Sequence, residues 1–200
     1  MEWIACGPDG DLTIFALLAL HGSSRDETDL AEFSVRIAPQ ARVIAPRGTF
    51  QEGDGFAFFK RRGDRTIPTS EVAALAREWV LNELTLRSHA TEKVVIVGYS
   101  SGAVFAEALL SVMPDRFAGA ILMRPEPLSA DFAFPDLTGK PILILAGKHD
   151  ERRRPADAPL LAAQLDAVRA EVTLHILDSG HGWAPLDEDI LLSRAWLTGI

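Results

Sequence analysis

Three residues in a fixed chain order carry the chemistry that this sequence offers. Ser100 stands at the centre of Gly98-Tyr99-Ser100-Ser101-Gly102, a G-x-S-x-G pentad; Asp150 closes Ala146-Gly147-Lys148-His149-Asp150; His181 lies between Gly180 and Gly182. A serine hydroxyl is a poor nucleophile at neutral pH. It needs a base to take its proton, and the base needs a carboxylate to hold its tautomer. Serine first, then acid, then histidine is the order expected of a nucleophile on a strand-to-helix turn whose partners follow later strands. The chemistry such a set would perform is acyl transfer through a covalent acyl-enzyme.

Rival assignments are weaker on position. His175 falls inside a strand, His89 precedes one and so sits at the wrong end of a sheet, and His149 adjoins Asp150 too closely for both to line up on one serine. Asp178 and Asp187 are the other candidate acids for His181 and rank below Asp150. A tetrahedral intermediate also needs backbone donors aimed at its oxygen. The amide of Ser101, at a helix N-terminus, is one candidate. The amide of Ser23, in the turn His21-Gly22-Ser23 after the first long apolar strand, is the other. His21 is expected to brace that turn rather than to move protons.

The elements that must hold these residues are legible around the pentad. Val94-Val95-Ile96-Val97 has the β-branched, all-apolar composition of a strand buried on both faces. Val104, Phe105, Ala108, Leu109 and Val112 form the apolar stripe of a helix that Pro114 ends. Gly98 and Gly102 are required because a Cβ at either would crowd the neighbouring strand or helix. Residues 2–5 read as a short edge strand, Gly7-Pro8-Asp9-Gly10 as a turn, Leu12 to Leu20 as a buried strand, Asp29 to Ile37 as a short helix, and Val43 to Ala45 as a strand. Pro46 to Ser70 reads as a long loop, then a helix capped by Ser70 and running to about Arg87. After the elbow come strands at 117–123, 142–146 and 172–177, a proline-containing loop at 124–139, and helices at 156–168 and 187–196. This alternation predicts an α/β fold: a mostly parallel central sheet with helices on both faces, one domain over residues 1–200, with ligands at the carboxyl ends of the strands.

Composition narrows the class. Two hundred residues with 48% hydrophobic and 24% charged content suit one globular domain. A net charge of −8 argues against general nucleic-acid binding. The single cysteine, Cys6, forms no internal disulfide, which fits a cytoplasmic location. The apolar run Leu12 to Leu20 is too short to span a bilayer, and no signal-peptide pattern opens the chain.

Motifs along most of the chain resemble the phospholipase/carboxylesterase family of small α/β-hydrolases, which includes acyl-protein thioesterases. They are Leu20-His21-Gly22 with Asp26-Glu27 and Asp29-Leu30, Ala45-Pro46-Arg47-Gly48, Phe58-Phe59-Lys60-Arg61-Arg62, the elbow with Ala103, Ala146 to Asp150, and Gly180-His181. The resemblance implies an α/β-hydrolase fold without a large lid, and a serine esterase acting on small carboxylic esters or thioesters. It implies Ser100 as nucleophile, Asp150 as acid, His181 as base, and no metal or cofactor. A homodimer is kept open as the assembly. The chain departs from the family in Glu151-Arg152-Arg153-Arg154, where relatives commonly carry Pro and apolar residues, and in Ser101, where they often have Asn or Gln. The related dienelactone hydrolases use Cys as nucleophile, and Ser100 argues against them.

Phe50, Phe56, Phe58, Phe59, Met123 and Trp183 are candidate walls of a substrate pocket. Two basic clusters, Lys60-Arg61-Arg62 with Arg65 and Arg152-Arg153-Arg154, fall in loops expected on the Ser100 side of the sheet, where they could attract an anionic substrate. Two other functions fit the same fold: a binding protein without catalysis, and a triad hydrolase of amide or carbon–carbon bonds.

Overall fold

The computed structural model describes residues 2–6, 15–84 and 93–200. Among these residues, seven strands form the central sheet: β1 (Trp3–Cys6), β2 (Ala16–Leu20), β3 (Arg42–Pro46), β6 (Val94–Tyr99), β7 (Gly119–Met123), β8 (Pro141–Gly147) and β9 (Glu171–Leu177). Their order is β1-β3-β2-β6-β7-β8-β9. β1 runs antiparallel on the edge and every other pairing is parallel. The expected turn at 7–10, the start of the Leu12 run, the helix tail to Arg87 and His89 lie outside the described residues.

The continuous apolar runs follow from two cores, one on each face. Leu18, Ile96, Leu122 and Ile144 point to one; Leu17, Val97, Ile121 and Leu143 point to the other. Successive strand residues face opposite sides, so a sheet covered twice needs apolar side chains at every position. Helices α2 (Thr69–Trp79), α3 (Ser101–Val112) and α4 (Asp157–Ala167) cover the first face. Helices α1 (Ala31–Ile37) and α5 (Glu188–Leu197) cover the second.

Two local readings are corrected. The loop at 46–70 contains a hairpin, β4 (Phe50–Glu52) and β5 (Gly55–Ala57), whose Phe56 N–H donates to Arg25 O at 2.7 Å. Ser70 does not cap α2. The helix begins one residue earlier behind Pro68, and the Thr69 hydroxyl donates to Leu128 O at 3.2 Å. Past Trp79 the helix widens into a π turn at Val80–Leu84. No helix among the described residues is long and apolar enough to cross a membrane.

Candidate active site

The elbow is built by close packing. A Cβ on Gly98 would come within 2.6 Å of Gly102 O, and one on Gly102 would overlap Leu20 O, so only glycine lets α3 start this near β6 and β2. Ser100 takes a left-handed φ of 55°, a strained conformation for a residue with a side chain. Its N–H donates to Met123 O at 2.8 Å, which ties the bend to the end of β7. Its Oγ is thereby raised above the carboxyl ends of the strands.

Asp150 and His181 arrive there from the ends of β8 and β9. His181 Nε2 lies 2.9 Å from Ser100 Oγ, and His181 Nδ1 lies 2.8 and 2.9 Å from the two Asp150 carboxylate oxygens. The two side chains are only 8% and 3% exposed. Burial pushes the His181 pKa below its ordinary value; the Asp150 hydrogen bond and charge oppose this, and Arg153 and Arg152 add to it. A neutral imidazole with its Nδ1–H on a carboxylate leaves Nε2 free to accept the serine proton. The close approach of this loop occurs at Gly147, where a Cβ would lie 2.8 Å from Ser179 O. A Cβ on Gly180 would make only ordinary contacts at 3.6 Å, and one on Gly182 would meet nothing within 4 Å, so neither flanking glycine is required by crowding.

The rivals are engaged elsewhere. His149 Nε2 meets Asp178 at 2.8 Å on the surface, Asp187 pairs with Arg36, and His175 stays on β9. His21 is buried, contacts Gly22 O through Nδ1 at 2.8 Å, and accepts the Gly48 N–H at Nε2 at 2.9 Å. It therefore braces the turn that carries Ser23 against the loop after β3. Ser23 lines a cavity of about 380 Å³ together with Ser100, His181, Tyr99 and Arg152. Ser101 is buried as the first residue of α3.

The pocket-wall residues sit differently from the expectation. Phe58, Phe59 and Met123 are 3%, 4% and 0% exposed, and Phe58 stacks on Phe105, so these three are core. Phe50 and Phe56 lie on the hairpin beneath the cations of Lys60 and Arg47. Trp183, half exposed, stacks on Tyr99 and Phe33. None of the six is among the walls of the Ser100 cavity. For the three core residues the apolar character was a packing signal, which sequence alone does not separate from a binding one.

The basic clusters are also redistributed. Arg62 pairs with Glu71, Arg154 with Asp157, and Arg61 with Glu126. Arg153 alone reaches the serine: its Nη2 donates to Ser100 Oγ at 3.0 Å. Its Nη1 meets Glu126 at 2.9 Å and its Nε donates to Arg124 O at 2.8 Å. Nothing in the run Glu151–Arg154 singles out the third residue except the turn that begins at Asp150, whose carboxylate accepts the Arg152 N–H at 2.9 Å.

A strained serine elbow in line with a buried histidine and aspartate, over a parallel sheet flanked by helices, defines an α/β-hydrolase. The chain belongs to the dienelactone hydrolase family, whose sequence profile matches residues 52–193. That match runs through the elbow with Ser100 in place, so, contrary to the expectation from the sequence, serine at the nucleophile position does not separate this chain from the family. A carboxylesterase from Mesorhizobium loti shares 33% identity over 94% of this chain and 90% of its own, with a TM-score of 0.82. The Bacillus cereus carboxylesterase shares 25% over 100% and 95%, also with a TM-score of 0.82. The protein MhqD of Bacillus subtilis (strain 168) is 30% identical over 168 residues, 82% of this chain and 84% of that one. The carboxylesterase neighbours agree with the resemblance drawn from the motifs.

Proposed function

We propose that this hydrolase cleaves small carboxylic esters or thioesters through Ser100, His181 and Asp150. The observation that carries the reading is the continuous line from Asp150 through His181 to Ser100 Oγ, each link at 2.8–2.9 Å. In this reading His181 Nε2 takes the Ser100 proton as Oγ attacks the carbonyl carbon. The resulting oxyanion is held by the Ser23 and Ser101 amides. Collapse expels the alcohol or thiol, protonated by His181; water activated by His181 then releases the acid and restores the serine. The test is a panel of aryl esters and thioesters of graded acyl length. Saturable release of acid and leaving group supports the reading. Inert esters beside cleaved anilides or diketones would move it to amide or carbon–carbon chemistry, and no turnover of any of them would favour a binding protein.

Because the base must be neutral, kcat/KM should rise with pH as His181 loses its proton. Burial favours the neutral imidazole, so the midpoint of that limb should lie below the ordinary histidine value of 6.5. A profile measured between about pH 4.5 and 8 checks this. A flat profile, or a midpoint above 7, would count against His181 as the base.

The position of Arg153 favours substrates with a carboxylate or phosphate close to the scissile carbonyl. Its guanidinium is held by Glu126 and directed at Ser100 Oγ. Arginine grips such groups through two parallel donors. Removing it does not strand Glu126, which keeps Arg61. Arg153→Met should therefore cost about tenfold or more in kcat/KM for a dicarboxylate half-ester, and much less for a neutral ester of equal acyl length. The preference should shrink as salt rises. Equal losses on both esters would confine Arg153 to a structural role.

A further inference from the structure

We propose that Arg124 is the positioning residue that holds the His181 loop over Ser100. This rests on the reading of His181 as the base. Arg124 follows β7 directly, has a left-handed φ of 51°, and is among the largest fully buried side chains of the described residues. All five of its guanidinium N–H groups have acceptors. Nε donates to Gly180 O at 3.3 Å. Nη1 donates to Leu145 O at 3.2 Å and Asp189 Oδ1 at 2.7 Å. Nη2 donates to Gly182 O at 2.7 Å and Asp189 Oδ2 at 3.0 Å, with Ser179 Oγ also within 3.2 Å. One planar fork thus grips the backbone carbonyls on both sides of His181. The carbonyl of His181 itself accepts the Tyr99 hydroxyl at 2.6 Å. Asp189 also accepts the Ala184 N–H at 2.7 Å, which fixes the exit of the same loop.

Stability alone does not account for this arrangement. A buried ion pair costs desolvation, and well-packed hydrocarbon of the same volume serves a core equally well. What a guanidinium adds is direction: donors at fixed angles, satisfied only when Gly180 and Gly182 stand where they do. Arg124 is also bonded to the strand before Asp150 and to the loop after it. Its N–H donates to Leu145 O in β8, the strand before Asp150, and its carbonyl accepts Arg153 Nε. The carbonyl of the preceding Met123 holds the Ser100 N–H. A shift of Arg124 would therefore move the histidine relative to the serine, and proton transfer depends steeply on that geometry.

The experiment compares wild type with Arg124→Lys and Asp189→Asn. The readouts are kcat, KM, the rate of labelling by a fluorophosphonate, the folded fraction, and the downfield proton resonance of the His181 Nδ1–H. Lysine keeps the charge but cannot reach both carbonyls. Asparagine keeps the size of Asp189 but loses its charge and one acceptor. For Arg124→Lys, kcat and the labelling rate should fall together by about 10²-fold, with KM within about threefold and the resonance broadened or lost. Asp189→Asn should show the same pattern at about tenfold. If Arg124→Lys does not fold, Asp189→Asn decides. Folded variants that keep kcat and labelling within threefold of wild type overturn the proposal, as does a loss that vanishes when activity is expressed per folded molecule. A wild-type protein that neither labels nor turns over ester fails differently: it overturns the assignment of Ser100 and His181 themselves.

Discussion

Replacing Ser100 with alanine is expected to lower ester turnover by about 10⁴-fold or more while leaving the folded protein intact. The Ser100 hydroxyl is bonded to His181 Nε2 and Arg153 Nη2, and Ser100 and His181 line an open cavity from which water can take its place. The backbone at φ 55° is no more strained for alanine than for serine. The core beneath is untouched, so the thermal midpoint should move little. Steady-state kinetics and a thermal melt on the same preparation check both halves. Turnover within tenfold of wild type would remove Ser100 from the chemistry, and a large drop in melting temperature would show that its hydroxyl carries structure.

Asp150→Asn should be nearly as damaging, with kcat down by roughly 10⁴-fold and little change in KM. Both Asp150 oxygens face His181 Nδ1, and the side chain is 3% exposed, so no solvent replaces it. An asparagine amide in that place turns a donor toward Nδ1. The tautomer with its proton on Nε2 is then favoured, and that nitrogen can no longer accept from Ser100. Asp178→Asn and Asp187→Asn serve as controls. Their carboxylates are exposed and pair with His149 and Arg36, so kcat should stay within about twofold. A reversal, with Asp178→Asn or Asp187→Asn inactive and Asp150→Asn active, would show the acid to be misassigned.

The chain order Ser, Asp, His was legible because each residue follows an apolar run of strand composition, and a parallel sheet delivers such positions to one edge. The sheet was legible for the same reason: Val94–Val97, Gly119–Met123 and Ile142–Leu145 are buried on both faces and need no polar alternation. The hairpin at 50–57 was not. Its strands have three residues each, too few for a period to emerge, and its second strand is bridged to Arg25, far away in the chain. Arg124 and Arg153 were hidden for another reason. In sequence both resemble solvated loop residues, and only the convergence of Asp189, Gly180, Gly182 and Glu126 explains why they turn inward. An arginine set directly against an apolar strand end and followed by Pro125 was the one available hint. The aromatic residues misled in the opposite direction, since core and pocket draw on the same side chains.

The central claim is that Ser100 forms a covalent intermediate. It is tested most directly by treating the protein with a fluorophosphonate and locating the adduct by peptide mass mapping. The expected result is one equivalent of label on the peptide containing Ser100, with none on the Ser100→Ala variant. An unlabelled wild type, or label on Ser23, Ser101 or Ser179 that persists in Ser100→Ala, would contradict it.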